Sequence, residues 1–211
     1  MMKLLERPWD VFFRTRIARI LVEKKSLLDI GGGLRLTKDK ANRSDPTRAW
    51  IAEEIEKRGT TYLILDYVDT YHPDIVGDVQ DLPLADSSQE AITCISVLEH
   101  VENPIKAVAE LHRVLKPGGL CFLYMPFLYY YHAERGYYGD YWRFTEDTVR
   151  KLCAPFATTE LMAVRGPLET IVRLTPLGRG KFFQHIAYLL DGLVGKRSSK
   201  QVSGYYVFLT K

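Results

Sequence analysis

Apolar and polar positions along this chain change period repeatedly, and the changes outline its elements. Residues 8–24 set Val11, Phe12, Ala18, Ile20 and Leu21 among arginines and lysines, a spacing that predicts a helix across the domain. A short apolar strand at 27–30 then runs into three glycines. Residues 34–43 are polar, basic and without period, so a loop is expected there. Ser44-Asp45-Pro46 reads as a helix start, a capping side chain followed by proline at the first helical position. Trp50, Ile51 and Ile55 give that helix an apolar face, and Gly59 ends it. Strands are predicted at 61–65, closing on Asp66, and at 74–79. Residues 91–98 are almost continuously apolar, as in a central parallel strand covered on both faces. Asn103-Pro104 caps a helix carrying Ile105, Val108, Leu111 and Val114, which Lys116-Pro-Gly-Gly119 stops before a buried strand at 120–127. Two last strands fit 157–164 and 204–210. Between them Phe182, Ile186, Leu189, Leu190 and Leu193 form the apolar face of a helix flanked by basic residues.

Strands alternating with helices imply βαβ units, hence a parallel sheet whose ligand crevice lies at the carboxyl ends of the strands. Those ends carry Asp29 with the glycines, Asp66, Asp78, residues 96–100 and residues 125–127. Three of them end in an aspartate. The glycine loop is either a tight turn or a close approach of backbone to a ligand, since no Cβ stands in the way. Dinucleotide binding needs Gly-x-Gly-x-x-Gly opening at once into a helix; the third glycine position holds Leu36 and the next helix starts about ten residues late. A phosphate-binding loop is excluded because no Gly-Lys-Ser/Thr follows.

With 211 residues one domain is expected, divided into an N-terminal helix (1–25), a ligand-binding core (26–155) and a C-terminal strand pair enclosing the amphipathic helix (156–211). A net charge of +3 gives no reason to expect a nucleic-acid partner. Cys94, Cys121 and Cys153 show no Cys-x-x-Cys spacing and are expected as reduced core thiols. Charged residues interrupt every apolar run near the start, and no run reaches membrane-spanning length, so a cytoplasmic protein is expected. The helix within 178–200 is read as packed on the sheet or capping the pocket. The alternative is a basic amphipathic surface meeting an anionic membrane.

The chain resembles the class I S-adenosylmethionine-dependent methyltransferases, in particular the small bacterial branch related to ubiquinone and menaquinone biosynthesis. The resemblance rests on Leu-Leu-Asp29-Ile-Gly31-Gly32-Gly33, Ile64-Leu-Asp66, Gly77-Asp78-Val79-Gln-Asp-Leu-Pro83, Val97-Leu-Glu99-His100-Val and His112-Arg-Val-Leu-Lys-Pro-Gly-Gly119. It implies a Rossmann-like three-layer α/β sandwich, with a seven-stranded, mostly parallel sheet whose last two strands are antiparallel. It implies S-adenosylmethionine as cofactor, its methionine end at Asp29, Gly31, Gly32, Gly33 and the Ser96 backbone. Asp66 would accept from the ribose hydroxyls and Asp78 from the adenine amino group, beside the Val79 amide. Related enzymes often carry a third glycine where this chain has Arg35. Glu99 and His100 are expected to support the start of the following helix.

In related enzymes a proline after the fifth strand, a histidine and then Asp-Tyr-Trp-Arg-Phe-Thr border the acceptor pocket, which here corresponds to Pro126, His132 and residues 140–145. His132 is therefore expected as a base or acceptor-orienting residue tuned by Asp140, with Tyr141 a secondary candidate, and both His132 and Asp140 are expected toward the surface. Trp142 and Arg143 read either as helix supports or as acceptor contacts. No metal ligand set is expected. The expected acceptor is a small molecule, saccharide or lipid-linked. The competing readings are a protein that binds the cofactor without turnover and, disfavoured by Leu36, a nicotinamide-dependent oxidoreductase.

Overall fold

The computed structural model describes residues 6–32, 46–196 and 198–211. Gly33, Arg35, Leu36, Ser44, Asp45 and the loop expected at 34–43 lie outside the described residues. Thirteen helices and strands are described, in the order α1 (Pro8–Glu23), β1 (Ser26–Ile30), α2 (Ala49–Arg58), β2 (Thr61–Asp66), β3 (Ile75–Val76), β4 (Gln89–Ile95), α3 (Pro104–Val114), β5 (Leu115–Pro126), α4 (Glu146–Leu152), β6 (Thr158–Val164), α5 (Pro167–Leu174), α6 (Lys181–Leu193) and β7 (Gly204–Thr210). They build one seven-stranded sheet in the order β3-β2-β1-β4-β5-β7-β6. Strands β1 to β5 pair in parallel, and β7 runs antiparallel to both β5 and β6.

Alternation along the strands sorts side chains to two faces. Leu28, Ile30, Ile92, Cys94, Cys121, Leu123 and Met125 meet Val108, Leu111 and Val114 of α3 and Val149 of α4. Leu27, Ala91, Leu120, Phe122 and Phe208 point the other way, against Phe12, Phe13, Ile17 and Ile20 of α1 and Ile51 of α2. All three cysteines are buried and unpaired, as expected of core thiols. The sheet reverses direction of growth between β1 and β4, the point at which a crevice opens beyond the strand ends.

Several boundaries differ from the sequence reading. Pro46–Arg48 is a 3₁₀ turn, and α2 begins only at Ala49 with no side-chain cap. β3 is two residues long because Gly77 and the Asp78 turn end it. Residues 116–119 do not lie between elements: Leu115 already pairs with Gln89, and an irregularity between Gln89 and Ala91 absorbs the glycines. Helix α5 was not anticipated. It is short, and its N-terminus is closed from elsewhere, by Asp191 of α6 accepting from the Leu168 and Glu169 amides at 3.0 and 3.1 Å. That cap reverses the expected packing of α6: His185, Tyr188 and Asp191 face inward, while Phe182, Ile186, Leu189, Leu190 and Leu193 are exposed.

Candidate active site

Gly31 follows β1 with φ at +63°, and a Cβ there would stand 2.4 Å from Val97 Cγ2. The turn therefore passes hard against the residue that follows Ser96. A Cβ on Gly32 would stand 2.3 Å from Asp29 Oδ2, so the carboxylate lies directly against the loop. Asp29 itself is buried. Tyr62 of β2 donates to its Oδ2 at 2.6 Å and Thr93 of β4 to its Oδ1 at 2.7 Å, which makes it a brace between the strands on either side. Burial, reinforced by the Asp29 carboxylate, drives the Tyr62 phenol far above its usual range.

Ser96 follows β4 with φ at +57°, an unfavourable conformation for a residue with a Cβ. Strain of this kind, ~1–3 kcal/mol, persists where the surroundings enforce it and collects at functional sites. Asp66 ends β2 and accepts from the Val68 amide at 3.3 Å; burial raises its carboxyl above the usual range. Asp78 accepts from the Gln80 amide at 2.8 Å and from the Gln80 side chain at both oxygens. Both aspartates thus stabilise their own turns, yet a carboxylate has about four acceptor positions and each keeps some open. The Val79 side chain is buried in the core.

Beyond β4, Leu98–His100 forms a 3₁₀ turn that buries the Glu99 side chain completely. The segment after β5 is stitched onto this turn. The Tyr141 and Trp142 amides donate to the Glu99 carbonyl at 2.8 and 3.2 Å, Trp142 Nε1 donates to the Val101 carbonyl at 2.9 Å, and the Phe144 amide donates to the Pro126 carbonyl at 2.8 Å. Arg143 grips Asp140 with both terminal nitrogens, at 2.6 and 2.8 Å, and also donates to the Tyr129 and Tyr130 carbonyls. That fork holds the Asp140 carboxyl down to about 2. The Asp140 side chain is wholly buried, correcting its expected exposure: it accepts from the His132 amide at 2.8 Å and stands 3.2 Å from His132 Nδ1. Asp140 thus holds the His132 backbone and stands beside its ring. The Tyr141 ring is exposed and packs over Gly139.

His132 Nε2 lies 3.5 Å from Glu99 Oε1, and His100 Nε2 lies 3.8 Å from the same oxygen. These separations exceed a made hydrogen bond. The proximity of Glu99 still raises His132 above the usual imidazole range, against burial, whereas burial lowers His100. The two rings meet edge to face at 4.7 Å, with Tyr138 against His100. The α3 start is capped by Asn103 through the Lys106 amide, and Glu99 and His100 face His132. The signal available in sequence was their place at a strand end. What was missing was the return of residues 132–142 onto them. An open hollow of about 530 Å³ between Tyr131 and Gly139 adjoins this cluster.

Residues 42–123 match the methyltransferase domain family. A demethylmenaquinone methyltransferase of Renibacterium salmoninarum is 51% identical over 45 residues, 21% of this chain and 19% of its own length. A ubiquinone biosynthesis O-methyltransferase of Xanthomonas campestris is 30% identical over 109 residues, 50% of this chain and 45% of its own. The chain thus spans less than half the length of these curated relatives. Among solved structures, a SAM-dependent methyltransferase from Archaeoglobus fulgidus superposes with a TM-score of 0.59 over 95% of this chain and 94% of its own at 12% identity. A putative methyltransferase from Haloferax volcanii, solved in complex with the Trm112 activator, gives 0.53 over 94% and 87% at 18% identity. At those identities the likeness is one of fold. Sequence match and strand order agree: residues 42–123 are similar to the methyltransferase domain family, and the seven-stranded sheet shares the fold of the S-adenosylmethionine-dependent methyltransferase structures.

Proposed function

We propose that this chain transfers a methyl group from S-adenosylmethionine to an oxygen, nitrogen or carbon of a small-molecule acceptor. The observation that carries the reading is the convergence, at the β1/β4 switch point, of an obligate glycine turn, a strained Ser96 and the carboxylates of Asp66 and Asp78. The set suits a cationic cofactor without phosphates. The backbone at Gly31, Gly32 and Ser96 would hold its methionine end. Asp29 would act behind them, keeping the glycine turn in place. Asp66 would accept from the ribose hydroxyls and Asp78 from the adenine amine beside the Val79 amide.

Bound S-adenosylmethionine supplies a methyl group already activated on a sulfonium. The protein's own part is chiefly alignment, worth up to ~7–11 kcal/mol in favourable cases. His132, held by Asp140 between Tyr131 and Ala133 of the hollow's lining, orients the acceptor and handles the proton it loses, typically worth ~10²–10⁴-fold. The test is S-adenosylhomocysteine release with hydroxylated aromatic, saccharide and amine acceptors. His132→Ala should lower turnover ~10²-fold or more on any acceptor that works. Cofactor affinity without product on any acceptor would favour the binding-only reading, and a twofold loss or less in the variant would remove His132 from the mechanism.

The exposed face of α6 favours presentation of the acceptor from an anionic lipid surface. Phe182 is 64% and Leu193 82% exposed. Lys181 and Lys196 flank the face, and the sole acid within α6, Asp191, is buried in the α5 cap. Arg173 of α5 lies within electrostatic reach of Tyr129, on the acceptor loop. Among the described residues no helix is long and apolar enough to cross a membrane, so such contact would be peripheral.

A further inference from the structure

Glu99, His100 and His132 come from two segments 32 residues apart in sequence, and each aims one ligand-type atom at the same point. Both oxygens of the Glu99 carboxylate are buried and lack a hydrogen bond. A buried carboxylate in that condition is costly unless something cationic meets it. The histidines show why the something need not be a proton. His100 Nδ1 lies 2.6 Å from the Gly139 carbonyl and His132 Nδ1 lies 3.0 Å from the Tyr130 carbonyl. A carbonyl only accepts, so each Nδ1 carries the hydrogen, and in the neutral ring each Nε2 offers a lone pair. Those are the two nitrogens facing Glu99. Imidazoles that ligate metals are commonly pinned in this way through their other nitrogen.

The spacing fits as well. Ligands at ~2.1 Å from a tetrahedral ion stand ~3.4 Å from one another. Here the two carboxylate–imidazole separations are 3.5 and 3.8 Å, and the ligand atoms all lie within 4.8 Å of one another. We propose that Glu99, His100 and His132 form a site for one divalent transition-metal ion, the three side chains leaving coordination positions for an acceptor. Two imidazoles and a carboxylate suit zinc, iron or a neighbouring ion ahead of magnesium or calcium. An ion there would neutralise Glu99 and lower the pKa of a coordinated acceptor hydroxyl. In that case His132 acts on the acceptor through the ion. This rests on the acceptor side of the proposed methyl transfer, but the site can be tested without turnover.

The full chain, stripped with a chelator, is titrated with Co²⁺ and followed by visible absorption, in parallel with calorimetry for S-adenosylmethionine. One equivalent of Co²⁺ should give a d–d band displaced by Zn²⁺. Affinity should fall more than about tenfold in Glu99→Gln and in His132→Ala, and be unchanged in His112→Gln, whose ring meets Phe156 edge to face and is not one of the clustered ligands. No band in the native chain, or a band unaltered in both cluster variants, overturns the proposal and leaves Glu99 paired with a protonated imidazole. Should Glu99→Gln fail to fold by circular dichroism, the half-exposed His132→Ala decides. Co²⁺ binding without cofactor binding would sink the methyltransferase reading alone, and the reverse would sink the metal site alone.

Discussion

Gly31 is constrained twice, by a left-handed backbone and by Val97 standing where a Cβ would go. Alanine there should cost ~2–4 kcal/mol, summing ~1–2 for the left-handed conformation and ~1–2 for overpacking. Urea unfolding of Gly31→Ala alone and together with Val97→Ala separates the two, because only the packing part is recovered in the double variant. Asp66 is constrained differently. Burial raises its carboxyl, so the fold disfavours its charge; the cost is absent below the unfolded value near 3.8 and complete once pH exceeds the raised folded value. Asp66→Asn should therefore raise the melting temperature of the cofactor-free chain at pH 7 but not at pH 3. It should also weaken S-adenosylmethionine ~10–100-fold, the worth of charged hydrogen bonds to a ribose. A variant neither more stable at pH 7 nor weaker in binding would remove Asp66 from the site. The sequence made these positions visible because each ends a strand. It did not reveal that Tyr62 and Thr93 occupy the Asp29 carboxylate, since those partners come from neighbouring strands whose pairing periodicity does not supply.

At the level of elements, the stretch 129–143 owes its shape to Arg143, which joins Asp140 to the Tyr129 and Tyr130 carbonyls. A lysine is a single-point donor and cannot reproduce that fork. Arg143→Lys should thus speed hydrogen exchange at the Tyr141 and Trp142 amides by tenfold or more, and raise KM for the acceptor more than it lowers kcat. Unchanged exchange would mean that the Glu99 carbonyl alone holds the segment. Strands and longer helices were legible from their periods, and Thr145 caps α4 through the Thr148 amide as its type suggests. Helix α6 was found as an element but assigned the wrong inward face. Its apolar stripe implied burial, yet the cap that Asp191 gives α5 turned the polar side inward, an interaction between elements that no local pattern encodes.

For the whole molecule, the outward stripe on α6 makes a prediction about where the protein sits. The chain should float with vesicles rich in anionic lipid at low salt and be released as salt screens the contact. Replacing Phe182 and Leu193 by aspartate should abolish flotation without lowering the melting temperature, since both side chains are mostly exposed. Binding unaffected by salt or by the replacements would contradict the reading. The sheet order follows from alternating elements and right-handed crossovers, whereas the antiparallel return of β7 between β5 and β6 was implied only by the family resemblance. The central claim is that the β1/β4 switch point holds S-adenosylmethionine, and calorimetry on the full chain tests it most directly. The account predicts saturable one-to-one binding of S-adenosylmethionine, weakened ~10–100-fold in Asp66→Asn, and no heat with NAD. Binding of NAD in its place, or S-adenosylmethionine binding indifferent to Asp66, would contradict it.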